Sequence, residues 1–305
     1  MTQALVIQSP TQQLIAKWHA ALDLRVRAGE MSKDTASVYR NGVGRFMQFA
    51  EHQSACGRAI DGDALRDWKA DLLTAYSAGS VNTWFAGVKA FYAWAVEAKL
   101  MEVNPAENVK GATRAGANKR HKREVITNDE MKRILALQLS DRDRCILHLK
   151  AFTGVRDIEL HRADAGDIGT EHGEIVLRVQ GKGRSEKDEV VVLSNTLARS
   201  ALHLWLIERG DKPGPLFTSD KAHRTRMSRR TIRHIVKEAL RSAGVVGNKT
   251  SHSFRHAAAT NLLLNGGTLQ QAQAMLRHAN IATTGIYLHE LNRVQNAGEK
   301  LISYG

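Results

Sequence analysis

Apolar residues recur at helical spacing through most of the chain. From Ser32 to about Gln53, Tyr39, Val43, Phe46 and Ala50 share one face with charged residues between them, which predicts an amphipathic helix. A second helix is predicted from Ser80, the N-cap after Gly79, through Val81, Phe85, Val88, Tyr92 and Ala95. Weaker helical segments near 11–28 and 63–77 complete a small all-helical domain over residues 1–105, with Trp68, Trp84, Trp94 and Phe91 in its core. Asn104-Pro105 ends it, because a residue before proline is pushed out of the helical region.

The pattern changes after residue 123. Thr127-x-x-Glu130 forms a capping box ahead of Met131, Ile134, Leu135 and Leu137. A helix from about Arg142 runs to Gly154, a natural stop that leaves Arg156 just past the helix end. Glu174–Gln180 alternates Ile175, Leu177 and Val179, and Val190–Leu193 is a β-branched run, so two strands flank the turn Gly181-Lys182-Gly183. Further helices are predicted at about 195–209, at 229–243 after the Ser228 cap, at 252–265, and at 269–278 after the capping box Thr268-x-x-Gln271. Residues 124–305 thus form a second domain, and residues 106–123 a linker rich in Lys and Arg.

Charge sharpens this division. The 305 residues carry a net charge of +13, and residues 1–105 hold 11 Lys/Arg against 10 Asp/Glu, while the rest hold 33 against 21. The basic part is suited to a polyanion. No stretch has the roughly 18 uninterrupted apolar residues of a membrane span, and no signal-peptide layout opens the chain, so a soluble cytoplasmic protein is expected. Cys56 and Cys145 have no partner motif and read as ordinary buried thiols. The run Asp141-Arg142-Asp143-Arg144 reads as a solvated helix start.

Candidate chemistry lies in the basic part. Tyr287 stands nine residues past His278 and thirty-two past Arg255, within His252-Ser-Phe-Arg255, Leu276-Arg-His278 and Thr283-Thr-Gly-Ile-Tyr287; upstream stands Thr153-Gly-Val-Arg156. A tyrosine with a pKa of about 10 is phenolate in about one molecule in a thousand at neutral pH, a deficit of ~4 kcal/mol. Guanidinium groups remain charged and fork onto phosphate oxygens as negative charge grows there. Two arginines, two histidines and a tyrosine are therefore equipment for attacking a phosphodiester. His252 and Arg255, three apart on a helix, share one face. His252 and His256 have the i, i+4 spacing of zinc-binding helices, but Ser253 occupies the place of the glutamate base, so His256 reads as a packed or supporting histidine.

Residues 151–290 resemble the catalytic domain of the tyrosine recombinases, the phage integrase family. The resemblance rests on Thr153-Gly-Val-Arg156-Asp-Ile-Glu159-Leu, Gly181-Lys182-Gly183, His252-Ser-Phe-Arg255, and Leu276-Arg-His278 through Tyr287-Leu-His289. Ser80-Val-Asn-Thr83 through Phe91-Tyr-Ala-Trp94 to Asn104-Pro105 is similar to the family's core-binding domain. The implied fold is mainly α: an all-helical SAM-like core-binding domain plus a mixed α/β, mostly α, catalytic domain with a small antiparallel sheet. The two would form a C-shaped clamp on DNA.

The resemblance implies that Arg156 and Arg255 hold the non-bridging phosphate oxygens, with His278 adding a hydrogen bond. Tyr287 would attack phosphorus and remain on the 3′ phosphate. His252 would take the phenol proton, Lys182 would protonate the departing 5′ oxygen, and Glu159 would orient Arg156. Neither metal nor nucleotide cofactor is implied, because the covalent bond keeps the energy of the broken diester. The implied partners are double-stranded DNA with inverted-repeat sites, further copies of the chain in a tetramer on two duplexes, and accessory DNA-binding proteins. The implied outcome is integration, excision or resolution of a DNA element. About ten residues precede the first helical segment, an expectation of a simple recombinase without an arm-binding domain.

The chain departs from the family at particular places. Arg277 stands where Gly is usual, Val192 where Pro is frequent, and the hairpin between Gly183 and Val190 is about two residues longer than in common members of the family, which leaves Lys187 or Arg184 as alternatives to Lys182. A type IB topoisomerase shares the chemistry, and the core-binding match sets the chain apart from it. A retired DNA-binding protein is the other alternative, and the complete six-residue set speaks against it. The tail with Leu291, Val294, Leu301 and Ile302 is expected to pack between subunits.

Overall fold

The computed structural model describes residues 10–113, 124–181, 184, 186–219 and 225–285. The chain divides into two compact units, Met1–Arg120 and His121–Gly305. Among the described residues there are twelve α-helices and one three-stranded antiparallel sheet.

The first unit is four helices: α1 (Pro10–Arg27), α2 (Lys33–Ala55), α3 (Gly62–Ala75) and α4 (Ala78–Glu97). Ser32 caps α2 as expected, its Oγ accepting from the Thr35 amide at 3.1 Å. The cap of α4 is Ser77 rather than Ser80: the Ser77 hydroxyl accepts the Ser80 amide at 3.3 Å, so the helix starts one turn earlier and carries Gly79 in its first turn. Trp18, Leu22, Phe46, Leu65, Trp68, Phe85 and Phe91 interlock in the core, with Trp94 packed at its margin. Trp84 departs from expectation. It is only partly buried, and the Arg45 guanidinium lies 4.2 Å above its ring, where a cation gains from the ring's negative face. Helices α2 and α4 cross at two glycines: a Cβ on Gly42 would stand 2.4 Å from the Trp84 carbonyl oxygen, and one on Gly87 2.8 Å from that of Tyr39. Beyond α4 the chain stays on this unit. Ala106 and Val109 enter the core, and the Asn82 amide pairs with both backbone groups of Ala112 at 2.9 and 2.6 Å.

The second unit holds α5 (Asn128–Leu135), α6 (Asp141–Thr153), α7 (Asp157–Arg162), the sheet, α8 (Thr196–Arg209), α9 (Arg229–Ser242), α10 (Ser251–Leu264), α11 (Leu269–Leu276) and α12 (Ile281–Thr284). The predicted capping boxes at Thr127 and Thr268 are both formed. The sheet is β1 (Ile168–Glu171), β2 (Glu174–Val179) and β3 (Glu189–Val192), in that order, and β1 is a strand the sequence pattern did not announce. His172 and Gly173, both at positive φ, make the two-residue turn that sets Glu171 opposite Glu174. Leu177, Val179, Val191 and Leu193 pack on Leu149, Leu160, Trp205 and Phe217. Helix α10 is buried almost all round, from Ser253 to Thr260, as a helix at the centre of a domain must be.

Two further expectations are corrected by burial. Cys145 is buried, but Cys56 is exposed at the C-cap of α2. Arg142 is also buried, donating to Asp143 at 2.8 Å and to the Thr218 carbonyl at 3.3 Å, so the Asp-Arg-Asp-Arg run is not a simply solvated helix start.

Candidate active site

Three helix ends assemble the site. Helix α6 stops at Gly154, whose left-handed φ of 61° reverses the chain, and two residues on Arg156 becomes the extended N-cap of α7. Glu159, fully buried in the first turn of α7, accepts from the Arg156 amide at 2.7 Å and from its Nη1 at 2.6 Å. The bond closes backbone and guanidinium onto one carboxylate, so the arginine is held at both ends. Burial alone would raise the Glu159 pKa, but Arg277 and Arg156 overcome it and keep the group below its ordinary value, hence ionised.

Arg255, on α10, is almost wholly buried at 2% exposure. Its Nη1 donates to the Gly154 carbonyl at 2.7 Å and its Nη2 to the Leu276 carbonyl. Both acceptors lie at helix C-termini, where carbonyls lack partners within the helix. The next carbonyl along, that of Arg277, accepts from Arg156 Nη2 at 3.3 Å. Consecutive carbonyls at the end of α11 thus hold the two arginines, although 121 residues separate Arg156 from Arg277 and 21 separate Arg255 from Leu276.

His278 follows directly. Its Nδ1 lies 2.9 Å from the Oγ1 of Thr284, a residue with no exposed surface. Burial lowers its pKa to about 4, with Arg255, Arg156, His252 and Arg277 adding in that order. At neutral pH the imidazole is uncharged. His252 is exposed at the first turn of α10, on the same face as Arg255, and its ring meets that of His256 edge-on at 5.3 Å.

A cavity of about 260 Å³ opens among Arg156, Gly181, Arg184, Arg277, His278 and Asn280. Gly181 precedes Lys182 in the chain, but Lys182 and Tyr287 lie outside the described residues, as does the tail beyond Tyr287. Of the alternatives to Lys182, Lys187 is bound to Asp164 at 2.8 Å and to Asp167, while Arg184 lines the cavity and pairs with Asp188 and, at 3.1 Å, with Glu189. Among the described residues no group of three His, Cys, Asp or Glu side chains is placed to hold a metal, and no helix is long and apolar enough to cross a membrane.

A polar cluster not foreseen from the sequence lies beneath these groups. Lys150, fully buried on α6, donates to Asp157 at 2.7 Å and to the Val155 carbonyl at 3.3 Å. Asp157 also accepts from Ser251 and, at 3.2 Å, from Arg233. Asp157 adjoins Arg156 and Ser251 adjoins His252, so the buried pair ties the starts of α7 and α10 to α6 and α9. The one signal in the sequence was a lysine within the apolar run Cys145–Phe152.

The pattern of the phage integrase family matches residues 124–293, and that of the family's N-terminal SAM-like domain matches residues 15–99. The chain belongs to the phage integrase family. It is 30% identical over 278 residues to the tyrosine recombinase XerC of Mycobacterium tuberculosis, which covers 85% of this chain and 88% of that protein. XerC of Vibrio parahaemolyticus is 32% identical over 220 residues, 70% of this chain and 67% of that one. Among solved structures, the XerH site-specific recombinase bound to a palindromic difH substrate superposes with a TM-score of 0.69 at 18% identity, covering 97% of each chain. A lambda integrase (75–356) dimer on a COC′ core site gives 0.68 at 14% identity, covering 89% of this chain and 96% of that one. The two-domain, mainly α fold expected from the sequence is the fold of these recombinases. This recombinase is an enzyme of site-specific DNA strand cleavage and rejoining.

Proposed function

We propose that the recombinase exchanges strands through a 3′-phosphotyrosyl intermediate, with Tyr287 as nucleophile. The observation that supports this most is the convergence of Arg156, Arg255 and His278 on the C-terminal turn of α11. Two fixed guanidiniums beside a neutral imidazole suit a phosphorus centre whose equatorial oxygens gain charge. With Thr284 donating to Nδ1, His278 carries its proton on Nε2 and donates it to a non-bridging oxygen. The Tyr287 oxygen forms the new bond to phosphorus as the bond to the 5′ oxygen breaks. The phenol proton passes to His252, exposed at the mouth of α10, and Lys182 protonates the leaving 5′ oxygen. The reverse attack by a 5′ hydroxyl restores the diester, so no external energy source enters.

The exposed face of α9, with Arg230, Arg233, Lys237 and Arg241, supports a duplex partner held by its phosphates. In this reading inverted half-sites are bound by separate copies, four copies join two duplexes, and the tail after Tyr287 links neighbours. Accessory DNA-binding proteins set direction, and the cytoplasmic outcome is integration, excision or resolution of a DNA element. The test is Tyr287→Phe on a nicked duplex substrate. Covalent adducts should vanish while site binding stays within about tenfold, because only the nucleophile is lost. Adducts that persist in this variant overturn the assignment.

A further inference from the structure

Glu159 presents a difficulty for its own neighbour. A fully buried carboxylate 2.6 Å from Arg156 orients that guanidinium, yet it also cancels the charge that a phosphate would feel. The structure supplies a second cation. Arg277 Nη2 lies 2.8 Å from Glu159 Oε2, its Nε lies 3.5 Å from Oε1, and its Nη1 donates to the Met275 carbonyl at 2.6 Å. Its side chain is 6% exposed. Its Nε also lies 3.7 Å from Glu189 on β3, and Glu189 in turn holds Arg184 at 3.1 Å. Charge therefore alternates along Arg156, Glu159, Arg277, Glu189 and Arg184, from the start of α7 through the start of β3 to the connection that precedes it.

The backbone of Arg277 adds a second, independent sign. It sits in the left-handed region at φ 52° and ψ 52°, which disfavours a residue bearing a side chain and costs glycine nothing. An arginine there forgoes local stability, and its buried contacts are what it gains.

We propose that Arg277 is a positioning residue that takes up the charge of Glu159, so that Arg156 keeps its full positive charge for the scissile phosphate. This rests on the proposed role of Arg156 at that phosphate. Arg277 does not touch the reacting atoms in this scheme; it acts through Glu159, and through its own carbonyl on Arg156.

Arg277→Gly is the informative variant, because glycine suits the left-handed turn and keeps the carbonyl that Arg156 uses. Single-turnover adduct formation on a nicked duplex by the full-length protein should fall about 10- to 100-fold, with DNA affinity changed by less than about threefold. Arg277→Lys should fall between, since an ammonium restores charge without the fork. Adding Glu159→Gln to Arg277→Gly should speed adduct formation above that of Arg277→Gly alone, because the uncancelled carboxylate is then gone. A merely structural role gives the opposite, since the second substitution removes a further contact. Arg277→Gly at the wild-type rate, or a double variant no faster than Arg277→Gly, overturns the proposal. Wild-type protein that forms no tyrosine adduct would instead defeat the proposed chemistry, before any variant is compared.

Discussion

The two units bury different things. Among the described residues, the first unit buries no Asp, Glu, Lys, Arg, His, Ser, Thr, Asn or Gln, and its core is aromatic and aliphatic. The second buries Glu130, Arg142, Lys150, Glu159 and Arg255, with His148, His256 and several hydroxyls. An apolar core gains stability from every residue it closes over, whereas a buried charge repays its desolvation only with close partners. The second unit meets that demand by pairing: Lys150 with Asp157, Glu159 with two arginines, and Arg255 with two helix-end carbonyls. Such pairing fixes side chains in place, which a site acting by preorganised charge requires.

The largest stability effect should come from the apolar side of this contrast. Trp18 is fully buried, edge-on to Phe91 at 5.7 Å and tilted against Trp94 at 5.4 Å. Trp18→Ala should destabilise the first unit by about 3–5 kcal/mol. Among the described residues Trp18 Nε1 has no acceptor in reach, so Trp18→Phe should cost less than about 1.5 kcal/mol. Denaturant titration followed by tryptophan fluorescence reads both. Equal losses in the two variants would mean that the indole's polar edge contributes, and the contrast between units would weaken.

A smaller effect is expected at the buried pair. Lys150→Met leaves Asp157, among the described residues, with Ser251 and Arg233, and should destabilise the second unit by about 3 kcal/mol. Lys150→Met with Asp157→Asn should recover more than half of that, since a neutral amide no longer needs a cation. A single variant within about 0.5 kcal/mol of wild type would show that the pair contributes nothing net.

The same contrast explains what the sequence disclosed. Helix caps are local chemistry, so Ser32, Thr127, Ser228 and Thr268 were legible; Ser77 and Ser80 offer the same hydroxyl three residues apart, and only the folded chain chooses. Helix α7, with six residues, and β1, with four, are too short to display a period. The motif residues Arg156, Arg255 and His278 could be named in advance, but their joint hold on the α11 turn could not, because it depends on backbone carbonyls that carry no residue type. Arg142 was misread because alternating charge at a helix start resembles a solvated face. Trp84 was misread because an aromatic at helical spacing does not announce an arginine above it.

The smallest effect is titration of the site itself. His278 has a folded pKa of about 4, held down first by burial and then by Arg255, Arg156, His252 and Arg277, against an ordinary value of 6.5. Between those values the unfolded chain binds the proton and the folded chain does not, so stability rises with pH. The contribution is complete above about pH 6.5 and is lost as pH falls through 4. His148, lowered chiefly by burial, and His19, lowered by burial and Arg40, add slopes of the same sign. Asp157 and Glu159 lie below their ordinary values and add theirs at lower pH, so between pH 6.5 and 5 the slope belongs to the histidines. Calorimetric melting from pH 7.5 to 5 should therefore show a falling Tm, and His278→Asn should flatten part of that fall while leaving the alkaline limb unchanged. Superimposable slopes for wild type and variant would mean that the imidazole titrates alike in the folded and unfolded chains, and that burial and the arginines around it do not hold its pKa down.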